Sequence, residues 1–232
     1  MTILNDPKDD RPHVALTPCG GDAPGTLAYG STQPTEAASS AVYLRLQPQR
    51  TGINRNGLTH PTYFYPAILV RPESEHLKGV IGFTKELPAI RTKMVEALGL
   101  GSGTCESRTA LVRSCRGRVL RVQPQIAKSL DTPFVVVVTG HPYSAERNYL
   151  AVVPVYDADA LDLTALPDIA VVEGADWVPT LLGAGVRRAA FVVPFTHSIW
   201  HATHVASETR TVVRASDMRE VEAKIRIHFA LA

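Results

Sequence analysis

Hydrophobic positions along this chain come in short runs separated by turns rich in proline, glycine and asparagine. Val42, Leu44 and Leu46 alternate with Tyr43, Arg45 and Gln47, the period-two spacing of a half-buried strand. Pro48 ends that run, because proline cannot donate to a sheet ladder. A polar loop over 49–62 leads to a second apolar run over 63–70, where Pro66 predicts an edge position or a late strand start. Leu87, Ile90, Met94, Val95 and Leu98 then recur at helical spacing, with Gly99 and Gly101 as the stop.

The second half repeats the alternation of strand and turn. Val119 and Leu120 sit among arginines, and 124–132 reads as a loop. Residues 134–138 form an unbroken apolar run, the mark of a buried strand, followed by the turn Gly140-His141-Pro142. Residues 149–155 and 203–214 read as strands, 156–168 as an acidic turn region, and 169–172, 177–182 and 189–195 as strands or short elements. The last element is a helix. Asp217 is its expected cap, Glu220 three residues on completes a capping box, and Met218, Val221, Ile225 and Phe229 form its apolar stripe. The expected class is α+β, mainly β, with short antiparallel strands closed by a C-terminal helix.

Residues 1–40 stand apart. They hold Pro7, Pro12, Pro18, Pro24 and Pro34, four glycines and a single aromatic, Tyr29. So little apolar surface offsets little ordering entropy, which predicts a flexible or extended arm that docks on a neighbouring subunit. Tyr43-Leu-Arg-Leu-Gln-Pro-Gln49 and Val119-Leu-Arg-Val-Gln-Pro-Gln125 share five of seven positions, and each precedes a loop and an apolar strand. A tandem duplication is one reading of that match and coincidence is the other. The expected division is an arm over 1–40, a first half over 41–112 and a second over 113–232.

Composition narrows the class. The chain has 232 residues, 45% of them hydrophobic, and a net charge of +2. That excludes disorder throughout and a polybasic tail, and leaves room for a local basic groove. Three cysteines in no paired spacing argue against a disulfide framework or a zinc ribbon. No apolar run approaches the ~20 residues of a membrane span, and the first residues lack the pattern of a signal peptide. A cytoplasmic protein with reduced thiols and no membrane association is expected.

Three segments carry a family resemblance. Leu120-Arg-Val-Gln-Pro-Gln-Ile126 with 134–138 resembles the opening strand pair of CcdB-like chains. Val192-Val-Pro-Phe-Thr-His197 resembles the MazF-like strand that ends in Pro-x-Thr. Glu208-Thr-Arg-Thr-Val-Val-Arg-Ala-Ser216 resembles the strand leading into the last MazF helix. The order matches, and the resemblance to the CcdB and MazF/PemK toxin superfamily covers roughly 113–232. It implies small SH3-like antiparallel barrels, a homo-oligomer, an antitoxin partner, and action on RNA or on a nucleic-acid enzyme. The chain also departs from that pattern. The loop after the 119–123 strand holds Lys128 but no arginine, whereas the first-half loop holds Arg50 and Arg55. The chain closes on Phe229-Ala-Leu-Ala232 rather than a Trp-Gly-Ile-type tail, so gyrase poisoning is not implied.

A metal-independent endoribonuclease needs a cation where charge builds on the scissile phosphate, together with a base and an acid. Arginine suits the phosphate because its fork binds two oxygens. The candidate catalytic set is Arg210 and Arg50 as cations and Thr196 as a hydrogen-bond donor; a surface partnership of Arg210 with Glu208 or Glu220 is the plainer reading. Arg113, Arg116, Arg118 and Arg121 form a candidate nucleic-acid contact, or else a charged edge that deters aggregation. No cofactor and no metal are expected. The weaker alternative is a zinc-dependent hydrolase using His197, His201 and His204, which share a face only if that segment is helical. The other alternative is a non-catalytic assembly or adaptor protein that uses a barrel and the N-terminal arm for protein contacts.

Overall fold

The computed structural model describes residues 2–5, 11–17, 25–33, 42–44, 58, 60–70, 80–101, 115–139, 149–166 and 168–231. They divide into two compact units, Met1–Ala97 and Leu98–Ala232. The protein is α+β and mainly β, with two antiparallel sheets and a few helices.

The first unit is a six-stranded sheet of β1 (Thr2–Asn5), β2 (Pro12–Ala15), β3 (Leu27–Ser31), β4 (Val42–Leu44), β5 (Thr62–Val70) and β6 (Val80–Phe83) in the order β4-β5-β3-β2-β1-β6. Helix α1 (Leu87–Ala97) packs against β5 through buried Ile90, Met94 and Ala97. Three strands therefore come from the stretch expected to be an arm. Ile3, Val14, Leu27 and Ala28 are all buried. These strands are only four or five residues long, too short for a periodicity argument to register. Strand β5, which holds Pro66, is not the terminal strand of its sheet but lies between β4 and β3, with described pairing to β4 only as far as Phe64. The proline falls where the register jumps from Ala28↔Leu69 to Tyr29↔Tyr65, an irregular stretch where its missing N–H costs the ladder least. Gly30 is required by close approach. A Cβ there would lie 2.2 Å from the Pro12 carbonyl oxygen and 2.9 Å from the Phe64 ring.

In the second unit, β7 (Arg118–Val122), β8 (Phe134–Val137) and β9 (Tyr149–Asp157) form a meander. The 124–132 segment, expected as a loop, contains helix α2 (Pro124–Leu130), with a proline in the first turn and Asp131 in left-handed backbone (φ 57) at its end. Proline suits that position because the missing N–H would be unpaired anyway. After β10 (Ile169–Glu173), the short helix α3 (Trp177–Leu182) leads to β11 (Arg188–Val192) and a 3-10 turn at Val193–Phe195. Strand β12 (His197–Trp200), the one-turn helix α4 (His201–His204) and β13 (Val205–Val212) follow.

Strand β9 is the hub of this sheet. One side pairs with β8; the other is shared end to end by β12 at 149–152 and β11 at 155–157. Strand β13 returns to pair with β7. Alternate residues of β7, β8 and β9 point to one side, which gathers Leu120, Val122, Val135, Val137, Leu150 and Val152 with Leu130 and Ile199 into one core. Fully burying a side chain of this size contributes ~1.5–3 kcal/mol. Helix α5 (Ala215–His228) packs on β10 and on the 193–195 turn. The expected apolar stripe is buried, but the expected capping box is absent. Arg214 is the N-cap, without a side-chain cap bond, and Asp217 lies inside the first turn, where it still complements the helix dipole.

The copies of the heptapeptide begin at the second residue of β4 and of β7, and each strand pairs antiparallel with the next one, through Tyr43↔Tyr63 and Val119↔Val136. Beyond that pair the sheets differ, because β4 terminates its sheet while β7 lies between β8 and β13.

Candidate nucleic-acid interface

The basic run is divided by burial. Arg116, in the turn before β7, is 2% exposed. Its guanidinium donates to the Leu98 and Val138 carbonyls and to the Glu222 carboxylate of α5. Burial lowers its affinity for the proton and Glu222 opposes that. This arginine braces the unit and has no free fork for a phosphate. Arg118 is half-buried and donates to the Thr209 carbonyl at 3.1 Å, while the Thr209 hydroxyl donates to the Val119 carbonyl. Arg121 is exposed on β7, opposite Ser207 of β13 and Phe134 of β8. Arg113 lies outside the described residues.

The candidate catalytic residues are not assembled as a set. Thr196 is fully buried, and its hydroxyl donates to the Val193 carbonyl at 2.5 Å, closing its own turn. Arg210 is exposed on β13, in the stretch between Glu208 and Val212 where the register with β7 shifts. Arg50 lies outside the described residues, as do Arg55 and the His141-Pro142-Tyr143 turn. Arg121 on β7, Arg210 on the adjacent strand β13 and Lys128 on α2 are each exposed to solvent.

The histidine segment changes conformation midway. His197 is on a strand, whereas His201 and His204 are in α4, so helical spacing does not align all three. The His204 Nδ1 accepts the Trp200 N–H at 3.1 Å, and the His197 Nδ1 lies 3.0 Å from the Phe195 carbonyl oxygen. Among the described residues no group of three His, Cys, Asp or Glu could hold a metal.

Two features escaped the sequence reading because register alone creates them. Tyr149 and Trp200 face each other across β9 and β12 with ring centroids 5.1 Å apart, and Trp200 is 45% exposed. Tyr43 and Tyr63 do the same across β4 and β5 at 4.7 Å, with Tyr43 45% exposed. The thiol expectation also changes. Cys115 is disulfide-bonded, while Cys19 and Cys105 lie outside the described residues. An odd count argues against a framework but still leaves room for a single bridge. No helix among the described residues is long and apolar enough to cross a membrane. Compared with known proteins, the chain matches no family model and no curated protein sequence.

Proposed function

We propose that the second unit is an SH3-like barrel of the CcdB/MazF type and that the protein is a toxin-type protein acting on nucleic acid. The observation that carries this reading is the path of β12 and β13. Strand β12 pairs with β9, a one-turn helix follows, and β13 pairs with β7 at the other end of the meander. Ile199 of β12 and Val205 of β13 meet one core with β7, β8, β9 and α2. A meander whose two ends take up consecutive strands is the connectivity of a small curled barrel. Arg121 and Arg210 then supply the phosphate contacts, and Arg210 is the cation proposed for the scissile phosphate of RNA. With Thr196 closed into its turn, the proposed chemistry does not draw on its hydroxyl. A homo-oligomer and an antitoxin partner are part of the same proposal.

The test is incubation of the purified protein with a mixed RNA pool, with and without EDTA. Cleavage in both conditions, lost in Arg210→Ala, is expected; an intact pool in both overturns the nuclease reading. A second reading, a non-catalytic assembly protein, draws on the exposed Tyr43–Tyr63 pair on the terminal strand of the first sheet. It expects no cleavage and a defined oligomer that weakens in Tyr43→Ser.

A further inference from the structure

The end of helix α5 carries a buried imidazole that neither reading uses. His228 Nδ1 lies 3.1 Å from Asp168 Oδ2, and the histidine side chain is 9% exposed. Its other nitrogen, Nε2, is buried and has no hydrogen-bond partner among the described residues. Asp168 precedes β10 and holds left-handed backbone (φ 55), so the carboxylate is presented from a constrained turn.

The turn beyond His228 is closed by backbone bonds. The Leu231 N–H bonds the Arg226 carbonyl at 2.8 Å and the Ala230 N–H bonds the Ile227 carbonyl at 3.1 Å, the pairing of a Schellman motif. The residue placed left-handed there is Ala230 (φ 48), where glycine would be unstrained. Phe229 and Leu231 are buried beyond it, and the Phe229 ring meets the His228 ring edge-on at 4.8 Å.

We propose that His228 and Asp168 form an acid-released latch on the C-terminal turn. With the imidazole neutral, Nδ1–H donates to the Asp168 carboxylate and the turn is closed. Protonation places a second donor, Nε2–H, in the interior with no acceptor, and the turn at 228–231 opens. Beyond Asp168, the neighbours do not offset that charge. The 193–195 turn carries no titratable group, and Glu173 at the far end of β10 is engaged by Arg188. Asp162 in the preceding region is turned to Thr164. On α5 itself, Glu222 is taken by Arg116, and Lys224 and Arg226 are cations. Asp168 is the charged group that acts on His228, and burial outweighs it, holding the imidazole below its ordinary value of 6.5. The unfolded chain therefore binds this proton more readily than the folded one. Stability from the latch is complete above the ordinary value and is lost as pH falls toward the folded one.

Hydrogen exchange of the full chain at about pH 7.5 and about pH 5.5, corrected for intrinsic rates, tests the latch. Protection of 225–231 is expected to fall several-fold at the lower pH while that of β8 and β9 holds, and His228→Gln is expected to abolish the pH response. Unchanged protection in the wild type, or the same loss in His228→Gln, overturns the proposal. Should that variant fail to fold, NMR titration of His228 in the wild type decides, because a midpoint at or above the ordinary value overturns it. None of these readouts depends on whether RNA is cleaved.

Discussion

Arg116 and Glu222 form an ion pair inside the second unit, joining the turn before β7 to the middle of α5. The same guanidinium bonds the Leu98 and Val138 carbonyls, and the Gly101 N–H donates to the second Glu222 oxygen at 3.1 Å. Three other parts of the chain thus converge on one buried arginine. Replacing one partner leaves a buried charge alone, which typically costs ~3–5 kcal/mol, whereas replacing both with apolar groups is often near neutral. Urea denaturation is expected to show a large loss in Arg116→Met and a partial recovery in Arg116→Met with Glu222→Leu. If the losses of Arg116→Met and of Glu222→Leu alone simply add in the double variant, the pair is not coupled.

Gly30 leaves no room for a side chain. Its Cβ would meet backbone at 2.2 Å, and backbone yields less readily than the end of a side chain. Gly30→Ala is expected to destabilise the first unit by ~1–3 kcal/mol, read as a lower thermal midpoint. A midpoint unchanged from wild type would mean that β2 and β3 leave room for a methyl group at Gly30.

Ala230 holds a left-handed conformation that glycine adopts freely. Ala230→Gly is expected to stabilise the second unit by about 0.5–1 kcal/mol. The measurement is again the unfolding midpoint, and a loss of stability would contradict the Schellman closure.

Arg121 and Arg210 are exposed on paired strands, whereas Arg116 is consumed internally. If the surface binds nucleic acid, Arg121→Ala and Arg210→Ala should each weaken binding across sequences and reduce the salt slope by about 1. Fluorescence anisotropy with a labelled single-stranded RNA over a salt series reads this. Unchanged slopes in both variants would remove these residues from any phosphate contact.

The disulfide at Cys115 has a direct chemical readout. Of the three cysteines, a bridge within one chain leaves one thiol. Alkylation of the denatured protein without reductant should label one cysteine, and after reduction all three. Labelling of all three without reductant would show Cys115 to be a thiol in the purified protein.

Much of the architecture was legible locally. The alternation at 42–44 and the helix from Leu87 each reflect a periodicity that burial on one side imposes on neighbouring residues, and the 134–138 run reflects burial on both. The stripe of Met218, Val221, Ile225 and Phe229 was readable for the same reason. The strands within 1–40 were not, since a four-residue strand offers two inward positions and no period. The 124–132 segment reads as a loop because the seven residues of α2 are too few to show a helical period.

The site residues followed a harsher rule. That the chain is mainly β, ends in an amphipathic helix and carries arginine before and within β7 was determined by the order of residue types, since each depends on neighbours a few positions apart. Which arginine is buried and which faces water was decided only when α5 brought Glu222 to Arg116, 106 positions away. The same holds for Thr196 closing its own turn, for Trp200 meeting Tyr149 and for His228 meeting Asp168. Burial and pairing are properties of the packed chain, and no local pattern encodes which distant group will arrive.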